Sequence, residues 1–187
     1  VDWGNDDVAI AHDYWWDTRN TKSYIFNPSD ASQNPNLISD RNYQDKYSSP
    51  GSFVRERNAM GSRVLSIVND QVFLIGDGFT KEGQFPFVDQ LNLKTQKKDR
   101  IYQSEYTDKI EGIRNYDPKK KELLVRIESP KEYPNYYFRD VQKDKLNQIT
   151  DFENPFKSLQ NVHKEVIKYK REDGLELSGT LYLPVGY

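Results

Sequence analysis

The sequence predicts an all-β fold: antiparallel four-stranded blades of an incomplete β-propeller, followed by a C-terminal hairpin. Three observations carry this expectation. Short runs of strand-forming residues recur between turn clusters, while helical periodicity is almost absent. Thirteen Tyr, nine Phe and three Trp supply large half-polar rings suited to pleated, half-buried surfaces. The strands also come in sets. LNLKTQKKDRIYQS and RDVQKDKLNQITD share one plan: a strand, a Lys-rich polar turn, and a strand whose apolar residue precedes a polar tail. Ile101 and Ile149 hold equivalent places 48 residues apart, and IFNPSDASQNPNLISD is a looser copy with a longer turn. A repeat of roughly 40–50 residues with about four strands each is the pattern of propeller blades. The alternative is an ordinary antiparallel meander with polar turns.

The strands follow in order. Asp7 to Tyr14 alternates Val8, Ile10 and His12 against Ala9, Ala11 and Asp13. Lys22 to Phe26 comes after the turn DTRNT, and Leu37-Ile38 lies beyond the polar loop NPSDASQNPN. RVLSIVND, QVFLIGDGF, PFVDQLNLKT and DRIYQS come next, then KIEGIRNYD, ELLVRIES, NYYFRDV and KLNQITD. Only Pro155 to Val162 hints at helix, and only for a turn or two. In the terminal hairpin, Ile167 and Tyr169 alternate with lysines, EDG turns the chain, and Leu175 through Leu183 alternate again until Pro184 ends the ladder. Propellers close with roughly 4–8 blades, and this chain supplies between two and three. A piece of something larger is expected, with exposed sheet edges that favour self-association. Residues 1–154 are assigned to the C-terminal blades, and residues 155–187 to a linker and the hairpin.

Composition narrows the function classes. Mean hydropathy is low, −0.92, and 30% of residues are charged. Val, Leu, Ile and Phe still make up about a quarter of the chain, above the ~20% that marks disorder. The net charge of −2 is scattered, with no basic stripe for a phosphate backbone, so nucleic acid is not an expected partner. No apolar run approaches the roughly 20 residues of a membrane helix. There is no cysteine, and hence no disulfide or thiolate chemistry. No signal peptide is visible, yet the chain opens on Val1, and export or a periplasmic site is favoured over the cytoplasm.

The residues that could carry chemistry are few. His12 lies on a strand among aromatic neighbours and reads as a structural histidine, and His163 lies in a polar linker. No acidic partner recurs beside either, their spacing fits no metal, and no cofactor is expected. No serine sits in a G-x-S-x-G elbow. Gly76 to Phe79 (GDGF) is a turn with no helix to cradle phosphate. Adjacent Trp15 and Trp16 point to opposite sides of a strand, and packing between blades is their expected use rather than a sugar platform. PKKKE, from Pro118 to Glu122, reads as a solvated hairpin tip.

YKREDGLELSGTLYLPVGY resembles the entry to the hydrolase domain in the prolyl oligopeptidase family of serine peptidases, where a Tyr-x-Arg/Lys-x-Asp-Gly hairpin leads to Leu-Pro-x-Gly-Tyr. SSPGSFVRERNAMGSRVL resembles the Pro-Gly-Ser loop of its glutamyl endopeptidase-like branch, with Ser49 in place of the usual Asp and Phe53 in place of a common proline. WWDTRNTKSYIF, GDGFTKEGQFPFVDQLNLKTQKKDRIYQS and YYFRDVQKDKLNQITDFENPF resemble its blades. The resemblance implies a propeller that limits which peptides reach a Ser-Asp-His hydrolase domain, with the triad beyond Tyr187 and cleavage after Glu. It leaves no catalytic residue inside this chain, which is expected to be inactive alone. An acidic peptide side chain needs a fixed cation, and arginine's fork suits a carboxylate best. Arg57, after the Pro-Gly-Ser loop, and Arg19, in the Trp-rich blade, are the candidates, with blade-to-blade salt bridges as their alternative use. The rival functions are a free-standing aromatic-rich module for carbohydrate or protein, folded as a sandwich, and a structural repeat protein.

Overall fold

The computed structural model describes residues 1–187. It is built from three four-stranded antiparallel sheets and two small hairpins. The first sheet runs in chain order through β1 (Asp2–Asn5), β2 (Val8–Trp15), β3 (Asn20–Phe26) and β4 (Asn36–Asn42). The second holds β5 (Ser52–Phe53), β8 (Gln71–Gly76), β9 (Phe87–Asn92) and β10 (Lys98–Gln103). Between β5 and β8 lies a small hairpin of β6 (Arg55–Arg57) and β7 (Arg63–Leu65). The third sheet is β11 (Ile110–Asp117), β12 (Glu122–Glu128), β13 (Asn135–Asp140) and β14 (Lys145–Gln148). β15 (His163–Lys170) and β16 (Glu176–Leu183) form the terminal hairpin. Three sheets stand where between two and three blades were expected. The missing strands were β1, β5 and β6, too short and too polar to show an alternating pattern.

The two similar sequence stretches are the hairpins between the third and fourth strands of the second and third sheets. Their turns share one chemistry. Asn92 Oδ1 accepts from the backbone N–H groups of Lys94 and Thr95, and Asp140 Oδ1 accepts from those of Gln142 and Lys143. Gln96 and Asp144 then take positive φ at matching places. The backbone N–H of Lys143, helped by that of Gln142 and the Lys143 charge, holds the Asp140 carboxyl below its ordinary pKa of 3.8 against the opposing effect of desolvation. Its contribution to folding is therefore complete above that ordinary value and is lost as pH falls through the lowered folded value. A carbon-13 titration of the Asp140 carboxyl should show a midpoint below that of Asp in an unfolded peptide; an equal midpoint would refute the capping role.

Alternation explains where the core lies. On β8, Val72 and Leu74 face one way and pack with Ile10, Ile25, Leu65 and Leu91 between the first and second sheets. Phe73 faces the other way and packs with Val54, Val88, Tyr116, Leu123, Val125 and Ile127 between the second and third. The middle sheet is thus buried on both faces, while each flanking sheet is buried on one. The first strand of each flanking sheet meets the middle of the chain, β1 beside β7 of the inserted hairpin and β11 beside β8. Ile101 packs against the third sheet, whereas its counterpart Ile149 has no sheet beyond it and is exposed.

After Thr150 the chain stays tied to the third sheet, since Asn135 Oδ1 accepts from Thr150 Oγ1 and from the Phe152 backbone N–H. One 3-10 turn, Lys157–Leu159, occupies the stretch with a helical hint. All of β15 is exposed, while β16 alternates, with Leu177, Leu181 and Leu183 half-buried on one face.

Candidate functional site

The first strand of the second sheet is interrupted. Ser52–Phe53 pairs with the upper half of β8, Val68 bridges to Gln71 at its lower end, and the β6–β7 hairpin is inserted between. Asn69 and Asp70, both at positive φ, make the two-residue turn that closes this detour onto β8. Asn58 and Gly61 (φ +79) provide the turn at the hairpin tip. In the register Arg57 faces Arg63 and Arg55 faces Leu65, so the three arginines and Leu65 share one face. The hairpin is wedged between its neighbours. Arg55 ion-pairs with Asp2 of the first sheet, and Glu56 takes a 3.1 Å contact from Lys119 Nζ of the third.

Two clefts of about 500 Å³ flank the hairpin. The Pro-Gly-Ser loop forms a wall common to both, with Ser49, Gly51, Ser52 and Phe53 lining each. Gly51 has φ +89, and a Cβ there would come within 2.3 Å of the Ile75 carbonyl oxygen, so the close approach of loop to strand requires glycine. The cleft between the first and second sheets also contains Asp2, His12, Ser23, Arg41 and Lys98. The cleft between the second and third contains Arg55, Arg63 and Arg114 against one carboxylate, Asp77.

In the first of these clefts, His12 Nδ1 lies 2.8 Å from Ser23 Oγ, and His12 Nε2 lies 3.1 Å from Asp2 Oδ2. His12 therefore has an acidic partner that the sequence pattern did not suggest, and His163 has another in Glu165 at 3.3 Å. The Ser-His-Asp order is not a hydrolytic triad. Ser23 sits mid-strand, paired in register with His12 and with Ser39, and has no sharp elbow or pair of free N–H groups to hold an oxyanion. Together with Arg55 it is a polar strap joining the hairpin to three strands of the first sheet.

The two arginines singled out from the sequence are not brought together. Arg19 lies where β2 turns into β3, at one end of the blades. Its guanidinium stacks 4.0 Å from the Trp16 ring centroid and Nη1 donates to Tyr43 Oη at 3.3 Å. Arg57 lies on the inserted hairpin, where Nη1 donates to the Gly61 carbonyl at 2.8 Å. Neither makes a salt bridge, so the blade-to-blade pairing considered for them is absent. Trp15 and Trp16 do not pack between blades either. They are 44% and 74% exposed, because they cap the end of β2 beyond the cover of the second sheet. Lys22 lies over one face of the Trp15 ring and Arg19 over one face of Trp16. Arg55, Arg63 and Arg114 were missed. The signal available for the first two was the turn chemistry of Asn58 and Gly61 between Arg57 and Arg63, which marks a hairpin rather than a loop.

No family model matches the chain. Curated proteins do: a probable chloroplastic glutamyl endopeptidase of Oryza sativa subsp. japonica is 35% identical over 99% of the chain. The corresponding Arabidopsis thaliana protein is 34% identical over all of it. The chain spans 21% of the length of each of these relatives. Among solved structures, the AtxE2 isopeptidase with Astexin3-dC4 bound superposes with a TM-score of 0.50 at 10% identity, over 97% of this chain and 25% of that one. That likeness concerns the fold, whereas the identity to the plant proteins is well beyond what fold alone imposes. The chain belongs to the prolyl oligopeptidase family of peptidases, in its glutamyl endopeptidase-like branch.

Proposed function

We propose that this chain is the propeller portion of a serine peptidase, and that it gates or positions peptide substrates for a hydrolase domain. The observation that carries this reading is the order of parts: three blades, a tether at Asn135 and Phe152, then an exposed hairpin with one apolar face. In this reading residues 1–154 act as the filter, and residues 155–187 lead into the hydrolase sheet. That sheet would cover Leu177, Leu181 and Leu183. Partners follow from the same reading: a peptide, the hydrolase domain and, through the unpaired sheet edges, other copies. An exported or periplasmic site belongs to it as well; both curated relatives carry an organelle address, the chloroplast, that is likewise outside the cytosol.

The test compares the 187-residue chain with the whole peptidase on a fluorogenic Glu-containing peptide. The chain alone should give no turnover and the whole enzyme should; robust turnover by the chain alone would sink the reading. Arg57 keeps guanidinium N–H groups free beyond its bond to Gly61. In the whole enzyme Arg57→Ala should depress cleavage after Glu selectively, and an unchanged preference would remove it as a substrate contact. Arg19, already stacked and bonded, should matter less.

A further inference from the structure

Arg55 and Glu56 are successive residues of β6 and point to opposite faces of the inserted hairpin. Each reaches a different neighbouring sheet, and the two ties are unequal. On the first-sheet side, Asp2 is only 12% exposed and holds Arg55 while also meeting His12 Nε2 at 3.1 Å. Apolar packing backs this tie, since Leu65 is buried with Ile10 and Ile25 and β7 lies beside β1. Gly4 permits that approach: a Cβ there would come within 2.9 Å of Ile67 Cδ1. On the third-sheet side, Glu56 meets Lys119 Nζ at 3.1 Å, on a turn where the lysine side chain is 64% exposed. There the strands of the hairpin have no strand as close a neighbour as β1. Ser66 Oγ donates to the same Glu56 oxygen at 3.2 Å, so Glu56 keeps a hydrogen bond when Lys119 leaves. An exposed ion pair of this kind is weak and screened by salt, whereas a tie to a mostly buried carboxylate is screened much less.

We propose that the inserted hairpin is a latch, anchored to the first sheet through Asp2 and releasable from the third through Lys119. Val54, Arg55 and Arg63 line the cleft between the second and third sheets. Release therefore frees one wall of that cleft, while the cleft between the first and second sheets keeps its width. The hinge is the point where the chain leaves the blade: Val54 is buried in the core, and its carbonyl accepts from the Ser66 N–H. The latch belongs to the blades alone and goes beyond the peptide-handling reading, because it fixes which cleft can open and not what enters it.

The experiment measures amide hydrogen exchange in the 187-residue chain and its variants. Lys119→Gln should speed exchange across the β6–β7 hairpin about two- to fivefold, the scale of one exposed ion pair, and leave β1 and β2 unchanged. Sodium chloride at about 1 M should do the same to the native chain and add nothing to Lys119→Gln. Arg55→Gln should speed exchange about tenfold, in β1 as well as in the hairpin, because it leaves a mostly buried carboxylate with His12 alone. Lys94→Gln breaks an exposed ion pair with Asp70 inside the second sheet and should change neither region. Unchanged hairpin exchange in Lys119→Gln, or an equal rise in β1, would overturn the latch. An Arg55→Gln effect no larger than that of Lys119→Gln would overturn its asymmetry. Should circular dichroism show that Arg55→Gln does not fold, Lys119→Gln and the salt series decide alone, since Lys119 lies on an exposed turn.

Discussion

Replacing Glu111 by Ala is expected to cost about 3–5 kcal/mol of stability, the usual scale for removing one partner of a buried ion pair. Glu111 is 1% exposed on β11. Its Oε1 accepts from Arg139 Nε at 3.2 Å and its Oε2 from the Tyr102 hydroxyl at 2.6 Å. Arg139 completes its set with Asp144 at 2.5 Å and the Tyr106 hydroxyl at 3.1 Å. Burial is the largest single influence on Arg139 and works against its charge, but Glu111, Tyr102, Tyr106 and Asp144 together outweigh it and the guanidinium's pKa is raised. Burial, and then the bond to Glu111, likewise push the Tyr102 phenol above its ordinary range. Tyr102 belongs to the second sheet, Glu111, Arg139 and Asp144 to the third, and Tyr106 to the link between them, so the network joins two blades. Without Glu111, the only carboxylate left to Arg139 is Asp144, which lies at the solvent edge. A urea titration should show the midpoint falling sharply. The paired change Glu111→Leu with Arg139→Met should cost much less, because no uncompensated charge is then buried. A loss below about 1 kcal/mol for Glu111→Ala would contradict the role given to the network.

Leu123→Ala should cost about 2–5 kcal/mol, the range for opening a cavity in a packed core. Leu123 is fully buried on β12 and sits in the cluster shared by the second and third sheets, beside Tyr116, its partner in register. Tyr116 in turn meets Phe73 edge to face at 5.3 Å. The lost methyls therefore come from an interface between sheets rather than from within one. The informative comparison is Ile149→Ala, at an exposed position of the same sheet, which should change stability by no more than about 0.5 kcal/mol. Chemical denaturation of both variants settles the point, and equal losses would mean that the inter-sheet cluster does not dominate.

Much of the fold was legible because burial is written as alternation. β8 and β12 carry unbroken apolar periodicity, and the repeated turns were visible because Asn92 and Asp140 do the same capping work in each. Less legible were elements whose order comes from partners distant in sequence. β1 holds one aromatic and no aliphatic side chain among Asp2, Trp3, Gly4 and Asn5; it is a strand because β2 pairs with it and β7 packs beside it. The partnership of Asp2 with His12 arises across a bulged ladder, which sequence spacing does not reveal. Trp15 and Trp16 looked like core residues because large rings usually are. Their position past the edge of the neighbouring sheet decided otherwise, and nearby cations took the place of apolar cover. At the candidate site the motif pointed to the loop that walls both clefts. Arg57 follows Pro50-Gly51-Ser52 in sequence, but the hairpin register leaves it bonded to Gly61 while Arg55 and Arg63 line the cleft.

The detour in the second sheet separates two kinds of constraint. The Ser66 backbone N–H donates to the Val54 carbonyl at 3.0 Å, so the chain leaves the strand and rejoins it at neighbouring points. Beyond that junction and the ties of Arg55 to Asp2, Glu56 to Lys119 and Leu65 to the core, only the tip of the arm, Asn58 to Ser62, stands clear of the blades. Substitutions at the tip, around Met60, are free of the packing that governs β8 and β12, and a longer or shorter arm would rejoin the blade at the same place. The blades can thus hold their geometry while the arm drifts in length and charge, which makes it the part of this chain where selectivity can change fastest at the least risk to folding.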